Sequence, residues 1–207
     1  MPGRTKKTSK RTARSRRSSP LTRSGAEAAL QAIGRAMKRL KARWFLFGAQ
    51  AVLLHGAPRT TQDIDVTVLT EAPIAKLVEV LEAEDIIPLI ADSAFIEQTR
   101  VLPCEHLPSG WKVDVVLGGP GLEELIAKQA KIRKLGSVSV PLLRIEHLIV
   151  LKVLAGRPQD LADVAALLGL PDARIARVEI KALLRAIETE LAEDRLVERF
   201  ERLESAR

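Results

Sequence analysis

The chain has no tyrosine, a single cysteine (Cys104) and only 3% aromatic residues, against 46% hydrophobic residues overall. A core is therefore expected, and it must be assembled from Leu, Val, Ile and Ala. One cysteine excludes an internal disulfide, which suits a reducing, cytoplasmic setting. No apolar run approaches the roughly 18 residues that span a bilayer, so no membrane association is expected. The charged N-terminus has no apolar stretch behind it and does not have the pattern of a secretory signal.

Acid is missing altogether from residues 1–23, which hold nine cations from Arg4 to Arg23. The formal net charge is +7, so removing those nine cations leaves −2 for the remainder, which is close to neutral. Residues 1–24 have little to bury and are expected to form a disordered basic tail. Residues 4–23 then read either as an arm that contacts nucleic acid through counterion release or as a solvated extension. Without aromatics among them, base stacking is not expected.

The 207 residues suffice for one α/β domain, placed at residues 25–143, followed by a helical region at 144–207. Apolar spacing predicts a helix over residues 26–42, a strand over 44–47, a short helix over 49–55 and a strand over 64–69. A helix over 73–83 follows, then short strands at 86–90 and 94–102, and a strand at 111–117. Gly118-Gly119-Pro120-Gly121 breaks the chain before a helix over 122–132. A last strand covers 138–142. Helices are expected at 145–155, at 158–168 and along the single stripe from about 174 to 204.

Phe47-Gly48-Ala49-Gln50 and the stretch from Arg59 to Asp65 carry the chemistry. A strand that stops at Gly48 and passes into a helix leaves backbone N–H groups free for an anion. Fifteen residues past Gly48 comes Asp63, with Asp65 two further on. On a strand both carboxylates share one face, while Ile64 and Val66 point to the other. Paired carboxylates repel unless a cation lies between them, and Mg²⁺ takes carboxylates together with substrate phosphates. With Arg59, Thr60 and Thr61 as added donors, the pattern reads as a nucleoside triphosphate site. The plainer alternative is two exposed aspartates at a strand edge.

Asp114 interrupts the β-branched run Val113 to Val116. If its strand lies beside that of Asp63 and Asp65, three carboxylates meet as the ligand set of a two-metal phosphoryl or nucleotidyl transfer site; otherwise it faces solvent. Lys152 is the one charge in Leu148 to Leu154 and is a candidate triphosphate ligand. Asp160 and Asp163 either hold Lys152 or Arg157 by ion pairing or complement a helix N-terminus. His55 reads as a helix C-terminal residue, Cys104 as packing, and His106 and His147 lack metal-ligand spacing to each other.

Together Gly48-Ala49, Asp63-x-Asp65 and the later Asp114 resemble the nucleotidyltransferase fold of the polymerase-β superfamily. The block Lys152-Val-Leu-Ala-Gly-Arg157-Pro-Gln-Asp160-Leu-Ala-Asp163-Val resembles its smaller bacterial branch related to the AbiEii/AbiGii toxins. The resemblance covers roughly residues 43–168. It implies a nucleotidyltransferase-like mixed sheet flanked by helices, which the helical pattern from Arg144 onward follows with a C-terminal helical bundle. It also implies two Mg²⁺ ions, with Mn²⁺ as a substitute, on Asp63, Asp65 and Asp114. Gly48, Ala49, Arg59, Thr60, Thr61, Lys152 and Arg157 would serve the nucleotide, supported by Asp160 and Asp163. Asp114 would help activate the acceptor. Where the family usually has Gly-Ser or Gly-Gly, Ala49 leaves only backbone contacts. The implied activity moves an NMP from an NTP to a hydroxyl of an RNA or protein acceptor, with a toxin role and an antitoxin partner within the family's range. The competing reading is a catalytically weak or inactive protein of this fold that binds nucleic acid or a protein partner through its basic arm.

Overall fold

The computed structural model describes residues 20–90, 92–171, 173–192 and 194–205, with side chains from residue 25 onward. The basic tail at residues 1–19 lies outside them. Residues 20–24, expected in that tail, are helical: α1 runs Pro20–Leu40. Its Ala29, Leu30, Ile33, Ala36 and Met37 are all fully buried or nearly so, because they recur every three to four residues along one face. Small alanines on that face let the helix lie close to its neighbours.

Among the described residues the strands form one mixed sheet of order β3-β4-β5-β2-β1-β7-β6. Its centre is β1 (Arg43–Phe47), β2 (Asp63–Leu69) and β5 (Trp111–Leu117). Strand β1 pairs antiparallel with β2, and β2 pairs parallel with β5. Phe45, Leu46, Ile64, Val66, Val113 and Val115 are completely buried, as the apolar members of central strands should be. The outer strands β3 (Ile86–Pro88) and β4 (Val101–His106) extend one side, with Cys104 buried in β4. On the other side β7 (Val138–Leu142) runs parallel to β1 and carries the edge strand β6 (Lys131–Leu135).

Helix α2 (Gly48–Leu54) leaves β1 directly, and α3 (Ile74–Glu82) follows β2. Three expectations need correction. Residues 94–102 do not form one strand: α4 covers Ser93–Thr99, and only from Val101 does the chain become β4. The carboxylate of Asp92 accepts hydrogen bonds from the Ala94 and Phe95 N–H groups at 2.9 and 3.3 Å, and this cap starts a helix. Arg100 ends it in the left-handed region. The helix expected to reach Ile132 stops earlier, α5 being Leu122–Gln129. Lys131–Leu135 turns back at Gly136 to pair with β7, so tertiary pairing overrides helix-compatible side chains. The stripe from 174 to 204 is divided, Ala192 closing α8 (Arg177–Leu191) ahead of α9 (Leu196–Ser205).

Helix α6 (Ile145–Ala155) is apolar around most of its circumference and buries Leu148, Ile149, Val150 and Val153. It ends at Gly156, whose φ of 64° is the left-handed cap expected of glycine. Arg199 of α9 donates to the Val153 carbonyl at 2.7 Å, closing that end of the helix. Pro158 then opens α7 (Pro158–Leu168), so a tight corner separates Lys152 from Arg157, Asp160 and Asp163. No described helix is long and apolar enough to cross a membrane.

Candidate active site

Strand pairing decides the site. Asp65 of β2 lies opposite Asp114 of β5, in register on neighbouring parallel strands, and Asp63 is two residues back on the same face. All three carboxylates line one cavity of about 500 Å³. Gly48, Ala49, Arg59, Thr60, Thr61, Lys152, Arg157 and Asp160 line it as well. Asp163 does not line it and acts from behind, through Lys152 and Arg59. Phe47, ahead of the glycine turn, and Leu148, Leu151, Ala155 and Gln159, which sequence reasoning passed over as site residues, complete the wall. Four of these lie on α6 or in the first turn of α7; their only signal was nearness to Lys152.

The acidic wall is under electrostatic tension. Burial, then the neighbouring Asp114 and Asp63, push Asp65 up to about 6, while the Ala49 backbone N–H and Lys152 pull the other way. Asp114 is raised too, by burial first and by Asp63 second. Three hard oxygen donors on one face, two of them reluctant to ionise, form a set that a divalent cation would relieve. As placed, no three Asp, Glu, His or Cys side chains among the described residues are gathered closely enough to hold an ion. The donor chemistry fits Mg²⁺ or Mn²⁺.

Gly48 makes the close approach of Asp65 available. Its φ is 64°, and a Cβ added there would lie 1.8 Å from Oδ2 of Asp65. The turn is thus fitted to the carboxylate, and the Ala49 N–H, expected to meet phosphate, lies where it favours the ionised form of Asp65. A Gly48→Ala substitution is expected to displace the Asp65 carboxylate and cost about 1–2 kcal/mol in backbone strain alone. A fall in Tm would show it; an unchanged Tm would contradict the geometry.

The opposite wall is basic but largely self-neutralised. Lys152 Nζ stands 2.9 Å from Asp160 Oδ1 and 2.8 Å from Asp163 Oδ2, all three residues being buried. The contact with Oδ2 is one of charge, without hydrogen-bond alignment. Arg157 Nε reaches Asp160 Oδ2 at 2.5 Å, and Arg59 Nε reaches Asp163 Oδ1 at 3.3 Å. Of the two readings of Asp160 and Asp163, the structure realises ion pairing. Burial would raise Asp160, but hydrogen bonds from Arg157 and Lys152 outweigh it and hold its pKa below the usual carboxylate range. Three cations against two anions leave one net positive charge beside the acidic wall. The Thr61 hydroxyl accepts from the Asp63 N–H at 3.2 Å and so fixes the start of β2.

The histidines stay outside this cavity. His55 caps the C-terminal end of α2 as expected, its Nε2 pairs with the Leu143 carbonyl at 3.0 Å, and burial lowers its pKa. Cys104 is pushed up to about 12, by burial first and Asp114 second, in keeping with a packing role.

Among solved structures, the chain aligns with the antibiotic-resistance factor ANT(2'')-Ia at a TM-score of 0.56. The match covers 82% of this chain and 94% of that one, with 11% identity. The fold is nucleotidyltransferase-like. JHP933 from Helicobacter pylori aligns at a TM-score of 0.50 over 89% of each chain, with 13% identity. No protein-family model matches the chain, and no curated protein matches its sequence.

Proposed function

We propose that this cavity binds an NTP with divalent ions and transfers its NMP to a hydroxyl of an RNA or protein acceptor. The observation that carries this reading is the in-register pair Asp65 and Asp114, with Asp63 on the same face, opposite a wall holding Arg59, Lys152 and Arg157. Asp63, Asp65 and Asp114 would hold two Mg²⁺ ions. Mg²⁺ bound there would lower the pKa of the acceptor hydroxyl and offset charge building on the transferred phosphoryl group.

The chain's own groups do the rest. Asp114 orients the acceptor hydroxyl and takes up its proton. The hydroxyl oxygen forms the new bond to the α-phosphorus as the α–β bridging bond breaks, and pyrophosphate leaves. The single net positive charge of the Arg59, Lys152, Arg157, Asp160 and Asp163 network faces the β- and γ-phosphates. Arg157, the most exposed of the three cations, is the one best able to turn toward them. The block from Lys152 to Val164 supports the AbiEii/AbiGii-related branch, hence a cytoplasmic toxin with an antitoxin partner.

Incubation with labelled NTPs, Mg²⁺ and cell extract should label a macromolecule. The double substitution Asp63→Ala and Asp65→Ala should abolish that label, and label surviving in this variant would refute the assignment. Absence of label from the wild-type protein, with nucleic-acid binding that the double substitution leaves unchanged, would select the non-catalytic reading.

A further inference from the structure

Among the described residues, strand β6 closes the sheet on one side, with β7 as its only paired neighbour. Lys131, Ile132, Arg133 and Lys134 are all exposed there. Nearby cations are matched, Arg43 and Lys128 both pairing with Glu124. Among the described residues no ion pair reaches Lys131, Arg133 or Lys134. Alternation places Lys131 and Arg133 on one face of the strand and Lys134 on the other, so positive charge flanks the open edge from both sides.

We propose that this edge docks the phosphodiester backbone of a single-stranded RNA acceptor; the inference rests on the transfer reading only for calling that RNA the acceptor. Its position suits the role. Lys131 lies opposite Leu142, and Leu142 is paired with Leu46, two residues before Gly48. Two inter-strand steps are about 10 Å, so a backbone held on β6 begins close to the catalytic turn. The composition favours RNA over a protein. Ile132, 66% exposed, is the strand's one prominent apolar side chain, whereas protein interfaces have apolar or aromatic centres and few lysines. With no aromatic residue in the strand, bases cannot stack on it, so contact is with phosphates and tolerant of sequence.

Lysines on an edge strand also deter pairing with another chain. Charge reversal separates the two roles, because glutamates deter pairing equally well but repel phosphate. The full chain and its triple variant Lys131→Glu, Arg133→Glu, Lys134→Glu should be compared by fluorescence anisotropy on a short labelled RNA across a salt series. The variant should keep its Tm and remain monodisperse while binding RNA about 10-fold more weakly or worse. Its plot of log affinity against log salt should be shallower by about 2, for three lost contacts at about 0.7 each on a single strand. Equal affinity and slope would overturn the proposal. So would tighter binding to DNA of the same sequence, or a larger loss of polyglutamate binding than of RNA binding, which would indicate an acidic protein partner. The Asp63→Ala, Asp65→Ala chain should bind the RNA like wild type. Docking that persists without any label would sink the transfer reading alone, and full RNA labelling by the triple variant would sink the docking alone.

Discussion

Replacing Asp65 with Asn should abolish transfer and yet make the metal-free protein more stable at pH 7. Asp65 is raised to about 6 by burial and by Asp114 and Asp63. A carboxylate whose pKa is higher folded than unfolded is held less willingly as an anion in the fold. Its penalty is absent below the unfolded pKa near 4, grows as pH rises, and is complete above about 6. A shift of about two pKa units corresponds to about 3 kcal/mol. Asparagine keeps the shape and removes the charge, so Tm should rise by several degrees at pH 7 but hardly at pH 4. Activity should fall about 10³-fold, the equivalent of about 4 kcal/mol of lost transition-state stabilisation. Added Mg²⁺ should raise the Tm of the wild-type protein and leave that of the variant nearly unchanged. Thermal denaturation at the two pH values, with and without Mg²⁺, checks the whole set. A variant less stable than wild type at pH 7 would remove the argument that the acidic wall awaits a cation. Stability given up at a site in this way is the usual cost of function.

Lys152→Met should do the opposite and unfold the protein readily. Lys152 lies between Asp160 and Asp163, and removing it strands two buried carboxylates. Breaking such a pair from one side costs about 3–5 kcal/mol. Arg157 and Arg59 still reach these carboxylates, so the lower end is expected. That is a fall in Tm of roughly 6–12 °C for a chain of this size. The pH dependence follows from Asp160, whose pKa is depressed in the fold. The stabilisation it carries is present above its unfolded pKa and is lost as pH falls through the folded value. Wild type and variant should therefore converge in stability at low pH. Neutralising the stranded acids by adding Asp160→Asn and Asp163→Asn should restore most of the Tm at pH 7. A single variant as stable as wild type would mean that the three residues are solvated in solution.

How much of this was legible beforehand depended on the range of the interaction. Asp63 and Asp65 share a face because strands alternate, and Gly48 ends a strand because it follows an apolar run; neither needs anything beyond adjacent residues. Gly156 and Pro158 bounded α6 and α7 for equally local reasons, and the i,i+3 spacing of Asp160 and Asp163 put both acids on one face of a helix while leaving their partner open. The strand expected at 94–102 failed where a local cap competed with a weak apolar pattern, since Asp92 bonds two backbone N–H groups and commits the next residues to a helix. Strand β6 failed for the converse reason. Lys-Ile-Arg-Lys is compatible with a helix, and only the partner strand β7 makes it extended.

The order of residues along the chain was enough to determine the DxD face, the glycine turn and the apolar stripes, because each depends on backbone periodicity over a few positions. Whether Asp114 joins them was decided by the parallel pairing of β2 with β5, a contact between distant segments. The same holds for the charge on the opposite wall. Lys152 is a lone cation when read along its helix; in the fold two carboxylates of α7 neutralise it, because burying an ammonium ion requires partners that only packing can bring within reach.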